Sequence, residues 1–165
     1  MIDNLLLSDR LSMPYTTLDL ATIKTSNIIT KVMNLFPRMQ ETVKIKNSIP
    51  NEEIIVDETK FILALRNLLD NAMKYSGDKA VIMEIIKNDD IEFHVNDSGI
   101  GISDDDIAKI TTPFYQADQS FSTKGFGLGL SICKKIIESH NGRLSIQSKL
   151  GHGSKFTLHL PVPIV

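Results

Sequence analysis

The chain has 165 residues, enough for one domain with a substantial core. A hydrophobic content of 42% and a mean hydropathy near zero predict a soluble, globular protein. The net charge of −2, with no run of Lys or Arg, leaves no electrostatic footprint for nucleic acid, and no stretch approaches the roughly 18 apolar residues of a membrane span.

No signal-peptide pattern, internal repeat or low-complexity segment is evident. Cys133 is the single cysteine, so it has no partner for an internal disulfide; its apolar helical surroundings predict a small core residue. Residues 1–13, rich in leucine, read as the end of a helix belonging to something larger, broken by Pro14. A short strand is expected over 17–23, then a helix with Ile28, Val32 and Leu35 on one face, stopped before Pro37. Short strands are expected over 42–48 and 53–56, on either side of the turn at Pro50-Asn51. Asp57 can then cap a helix running to about Tyr75. Strands over 80–87 and 91–97, separated by Asn88-Asp89-Asp90, predict an antiparallel hairpin.

Residues 98–126 are long, polar and irregular, the signature of a functional or disordered loop. A helix over 127–141 carries apolar Ile132, Ile136 and Ile137 and closes at Asn141-Gly142, and a final hairpin joins 143–148 to 155–160. Strands followed by helices, with hairpins, predict an α+β two-layer sandwich rather than a doubly wound parallel sheet.

Four short motifs lie on these elements in fixed order. The first is Asn67-Leu68-Leu69-Asp70-Asn71-Ala72-Met73-Lys74-Tyr75 on the capped helix. At about 100° per residue, Leu65, Leu68, Leu69 and Ala72 share one side, while Asn67, Asn71 and Lys74 fall within about 60° of one another opposite them. Such a row is either a solvated polar face or a pair of amides and an ammonium serving a metal–triphosphate, since Mg²⁺ takes oxygen ligands. The second motif, Asp97-Ser98-Gly99-Ile100-Gly101, ends a strand. The period of two continues the core-facing row of Ile91, Phe93 and Val95 into Asp97, whose carboxylate then needs a partner: a turn cap over Gly99 or a ligand.

The third motif, Gly125-Phe126-Gly127-Leu128-Gly129-Leu130, precedes and opens the last helix, offering backbone N–H groups and a positive dipole end to phosphate. A dinucleotide-binding loop is disfavoured, because there the glycines follow a strand directly. The fourth is the turn Gly151-His152-Gly153-Ser154. None of the four histidines, His94, His140, His152 and His159, has metal-ligand spacing or a phosphoacceptor-like context.

Together the motifs resemble the N box and three glycine boxes of the Bergerat-fold ATPases, above all the catalytic and ATP-binding domain of sensor histidine kinases. The resemblance covers residues 17–165 and implies a mostly antiparallel mixed sheet, helices on one face and a mobile ATP lid, with residues 1–16 a remnant of a dimerisation helix and linker. It further implies ATP and Mg²⁺ as cofactors. Asn71 is then the Mg²⁺ ligand, Lys74 contacts the phosphates, Tyr75 packs near the nucleotide, and Asn67 is a further cofactor-binding residue. Asp97 accepts from the adenine amine, with Gly99, Gly101 and Ile102 around the base. Thr112-Pro113-Phe114-Tyr115-Gln116-Ala117-Asp118 resembles the F box, so Phe114 and Lys124 belong to the lid; a hydrophobic anchor for the loop is compatible with this. Gly125 through Leu130 meet the phosphates, and Ser154 supplies a hydroxyl near the adenine-binding Asp. Asn71, Lys74 and Asp70 are the candidate catalytic residues, Asp70 as the nearby carboxylate that orients a nucleophile.

By the same resemblance the acceptor histidine belongs to a separate dimerisation domain, a response regulator takes up the phosphate, and the cytoplasmic fragment comes from an inner-membrane parent. Hydrolytic relatives of the gyrase type place a general-base Glu where this chain has Asn67, which favours the kinase. An anti-sigma-type serine kinase and a nucleotide-gated interaction module are the other readings.

Overall fold

Alternation and helical periodicity place each element where its apolar side can be covered. The structure is a computed structural model that describes residues 17–35, 37–116 and 127–164. The expected helix ahead of Pro14, most of the domain-linker boundary at 16, and Lys124, Gly125 and Phe126 lie outside the described residues.

The elements run β1 (Leu20–Lys24), α1 (Thr25–Leu35), α2 (Met39–Thr42), β2 (Val43–Asn47), β3 (Glu53–Asp57), α3 (Glu58–Ser76), β4 (Val81–Lys87), β5 (Asp90–Asp97), α4 (Asp104–Ile107), α5 (Gly129–Ser139), β6 (Arg143–Lys149) and β7 (Gly153–Pro161). Five strands form one sheet in the order β2-β4-β5-β7-β6; only β2–β4 is parallel, and β4–β5 and β6–β7 are the expected antiparallel hairpins. The strands flanking Pro50-Asn51 do not pair with each other. β3 instead joins β1 in a separate two-stranded sheet.

Helices α3 and α5 cover one face of the large sheet, as the apolar sides of both layers require, and α1 packs on α3 and β1. Leu65, Leu68, Leu69 and Ala72 of α3 meet Met83, Ile85, Phe93, Val95 and Phe156 in the core, with Phe61 edge-on to Phe93 at 5.1 Å. Ile132, Cys133, Ile136 and Ile137 of α5 complete it, and burial drives the Cys133 thiol well above its ordinary pKa, so it is an inert packing group. Leu35 departs from expectation: as the last residue of α1 it is 60% exposed, and the buried stripe ends at Val32.

His140 ties the end of α5 to the start of α3. Its Nε2 accepts from the Asp57 N–H at 2.9 Å and its Nδ1–H donates to the Ile136 carbonyl at 2.7 Å, which fixes the tautomer. His94 and His159 point to the face of the sheet away from the helices, as alternation predicts, yet both are buried there among strand neighbours. Thr157 and Ser145 each bond one ring nitrogen, at 2.9 and 2.8 Å, while the other faces Glu92. Burial lowers both imidazole pKa values, helped by Lys155 at His94 and by Arg143 at His159 and opposed by Glu92.

Candidate functional site

Helix α3 opens with Asp57 as its cap, the carboxylate accepting from Lys60 N–H at 3.1 Å. That start fixes the rotation of the whole helix and so the face on which Asn67 and Asn71 stand. Asn67 is only 7% exposed, so the first amide is no part of a solvated polar face. Its Nδ2 donates to the Gly129 carbonyl at 3.3 Å, tying the Asn motif to the opening of α5. Asn71, one turn on, is half-buried. Lys74 is exposed, its Nζ 5.2 Å above the Tyr75 ring.

Asp70 faces outward, paired with Arg66 at 3.3 Å. Partial burial raises its pKa, and the Arg66 charge and hydrogen bond oppose the rise. Half of the side chain remains in water, where screening keeps such a shift from being a stability term.

The loop after β5 is threaded through contacts that only glycine tolerates. A Cβ on Gly99 would run into the Tyr75 carbonyl, and one on Gly101, at φ +70, into the Lys149 carbonyl. Gly99 therefore lies against the end of α3 and Gly101 against the β6–β7 hairpin. Gly153, at φ +86, abuts the Asp97 carbonyl in the same way. Three of the four motifs are thus locked edge to edge.

Asp97 ends β5 on the core-facing side, 9% exposed, directly across from Ser154 of β7. Its Oδ1 accepts from Gly99 N–H at 2.9 Å. Burial raises its pKa, and the N–H groups of Gly99 and Ser154 oppose that without reversing it. No cation is paired with this carboxylate among the described residues. Lys79 reaches only the neighbouring Ser98 carbonyl, at 3.2 Å.

The glycine-rich segment divides in two. Gly127, at φ +69, bonds Phe114 N–H through its carbonyl at 3.1 Å and would clash with Tyr115 if it carried a Cβ. It is outside the helix, which begins at Gly129 rather than at 127, because a left-handed residue cannot be a helical one. At Gly129 an added Cβ would make only ordinary contact with Asn67, so the fold itself has no need of glycine there. Leu128 is buried and Leu130 half-buried; the N-terminus of α5 has no side-chain cap, and Ser131 turns its hydroxyl to the Leu128 carbonyl instead. Among the described residues no side chain caps this helix, unlike α3 with its Asp57 cap.

Phe114 adopts φ +65 and is 65% exposed, an unusual conformation for a bulky residue. It contacts the glycine segment through its backbone, while Tyr115 hydrogen-bonds Asp106 and so ties the segment to α4. Half-buried Ile102 donates its N–H to Ser148 Oγ at 2.8 Å. Ser148 was not evident from the sequence, since its place depends on the β6–β7 register. Asn67, Gly127, Gly129 and the Asp97–Ser154 pair are drawn into one connected rim around α3. Asp70 and the Phe114 ring stand outside it. Among the described residues no group of three or more His, Cys, Asp or Glu is placed to hold a metal.

The sequence profile of the family described as "Histidine kinase-, DNA gyrase B-, and HSP90-like ATPase" matches residues 56–164, well over half of the chain. The chain belongs to this family. Within it, the chain resembles the sensor histidine kinases. Sensor protein kinase WalK of Staphylococcus saprophyticus is 34% identical over 145 residues, 83% of this chain and 24% of the relative. Sensor-like histidine kinase SenX3 of Mycobacterium tuberculosis is 37% identical over 127 residues, 74% of this chain and 31% of the relative. The chain thus spans only about a quarter to a third of the length of these relatives. Full-length ShkA, solved in complex with AMPPNP, superimposes with a TM-score of 0.86 at 26% identity, over 99% of this chain and 35% of that one. The catalytic domain of histidine kinase ThkA, nucleotide-free, gives 0.75 at 25% identity, over 88% of this chain and 99% of that one. The two-layer fold expected from the sequence and the histidine-kinase type of this family ATPase domain both hold.

Proposed function

We propose that this chain binds Mg²⁺-ATP and transfers its γ-phosphate to a histidine on a separate dimerisation domain, for relay to a response regulator. The observation that carries the reading is Asn67. It is buried against Gly129 at the position where hydrolytic relatives carry their general base, and an amide takes no proton from water. Phosphoryl transfer asks the protein for positioning and charge neutralisation more than for covalent chemistry.

The residues divide that work. Asp97, which no cation among the described residues pairs with, accepts the exocyclic amine of adenine, while Gly99, Gly101 and Ile102 shape the turn beside the base and Ser154 stands next to Asp97. The uncapped start of α5, from Gly129 and Leu130, turns N–H groups to the phosphates, and Lys74 adds a charge from α3. Space at Gly129, which the fold does not require, suits close approach of a phosphate. Tyr75 flanks the nucleotide, and Phe114 with Lys124 belongs to the lid. The amide oxygen of Asn71 is a neutral ligand that suits Mg²⁺ already carrying phosphate charge, with Asn67 one turn before it on the same helix. When bound, the cation offsets that charge and fixes the phosphates' orientation. Asp70 orients the incoming histidine once Arg66 releases it.

The parent is proposed to be an inner-membrane sensor with this domain on the cytoplasmic side; among the described residues no helix is long and apolar enough to cross a membrane. The test is radiolabelled ATP with this chain and its dimerisation domain, apart and mixed. Acid-labile label on the dimerisation domain only in the mixture is the expected result. Robust ATP hydrolysis by this chain alone would favour a hydrolytic ATPase instead.

A further inference from the structure

Asp97, Ser154 and Ser148 lie side by side across three neighbouring strands, β5, β7 and β6, in direct register. All three are on the helix-covered side of the sheet, so the row continues from the core into the rim of the site. The hydrogen atoms of this row can be assigned from its partners.

Ser148 Oγ makes three contacts. It takes the Ile102 N–H at 2.8 Å, lies 2.9 Å from the Gly153 carbonyl, and lies 2.7 Å from Ser154 Oγ. A backbone N–H can only donate and a carbonyl can only accept, so the single Ser148 hydrogen goes to Gly153. The remaining contact then requires Ser154 to donate to Ser148. With its one hydrogen spent, Ser154 Oγ has only lone pairs left for anything on its other side. Asp97, ionised, also offers only lone pairs.

We propose that Ser148 is a positioning residue for nucleobase selection: by consuming the Ser154 hydrogen, it makes Asp97 and Ser154 a pair of adjacent acceptors. Such a pair suits an exocyclic amine, which has two hydrogens to give, and repels a carbonyl at the same ring position. The inference rests on the reading of Asp97 as the adenine-binding residue. It adds that selectivity against oxo-purines depends on a serine in β6 that touches no nucleotide. Ser148 also joins the two backbone segments bordering Asp97, through Ile102 and Gly153, so the relay and the shape of the turn are set by one hydroxyl.

Calorimetric titration of the full chain with ADP and with inosine diphosphate tests this. Replacing Ser148 by Ala frees the Ser154 hydroxyl to rotate and donate. The preference for ADP over inosine diphosphate should then narrow about five- to tenfold, chiefly through tighter binding of inosine diphosphate. Ser148→Thr keeps the hydroxyl and should retain the wild-type preference. Ser148→Cys fills the same space with a poor acceptor and should behave like the Ala variant, which covers the case of an Ala variant that fails to fold. Equal weakening of both nucleotides, or no change in either, in the folded Ala or Cys variant would overturn the relay while leaving Asp97 as the base-binding residue. Wild-type affinity for ADP in Asp97→Asn would instead overturn the reading beneath it, and the relay with it.

Discussion

Two aspartates end two strands of this protein, both buried, and the fold treats them in opposite ways. Asp57 ends β3 and Asp97 ends β5. Burial raises both carboxyl pKa values, but at Asp57 it is outweighed by the N–H and ammonium of Lys60 and the N–H of Asp19, with Lys60 Nζ 3.0 Å away, and the net pKa is lowered. At Asp97 two backbone N–H groups are all that oppose burial, and the net pKa is raised. A carboxylate that serves the fold is given a cation and a helix to cap. Asp97, proposed to serve the nucleotide, is buried at the edge of the core and held only by backbone N–H groups.

The largest effect should come from removing the charge at Asp97. Asp97→Asn is expected to weaken ADP binding by one to two orders of magnitude, the loss of a charge-assisted hydrogen bond of about 1.5–3 kcal/mol. The folded protein should lose nothing, and the comparison breaks if urea unfolding shows the variant markedly destabilised. Asp57→Ala should do the reverse. It is expected to cost about 2 kcal/mol in urea unfolding, by loss of the helix cap and of the Lys60 pair, with ADP affinity of the folded fraction unchanged.

Asn71→Ala should weaken ATP binding about tenfold in Mg²⁺ and leave metal-free ADP binding nearly intact, which separates the metal from the base. Equal losses with and without Mg²⁺ in titration calorimetry would assign Asn71 to the fold. The smallest effect concerns pH. The depressed pKa of Asp57 contributes stability that is full above the ordinary carboxylate value and fades as pH falls through the folded value below it. The raised pKa of Asp97 has the opposite sign: stability is gained as pH falls through it, because the fold prefers the neutral acid. Comparing urea unfolding from neutral to acid pH, Asp57→Asn should flatten the acid loss of stability and Asp97→Asn should steepen it slightly.

Much of this contrast could be read from the residues alone. Alternation through Ile91, Phe93 and Val95 places Asp97 inward, and the helical pattern after Asp57 marks it as a cap, because both are local periodicities. What could not be read depends on long-range register. His140 meets the Asp57 N–H across 83 positions of sequence, and Asn67 meets Gly129 across 62. Ser148 acquires its role only through pairing with Ser154. The difference between Gly127, which the backbone needs, and Gly129, which it does not, is likewise a matter of what each glycine packs against. Leu35 misled because a helical stripe is buried only as far as its neighbours extend.

The most direct test of the central contrast is an NMR pH titration of the Asp57 and Asp97 carboxyl carbons, without and with saturating ADP. In the free protein Asp97 should titrate above the ordinary carboxylate range and Asp57 below it. ADP should draw the Asp97 value down, since an amine donating to the carboxylate favours its charged form, and leave Asp57 where it was. An Asp97 titration that ADP does not move would contradict the assignment of this carboxylate to the nucleotide.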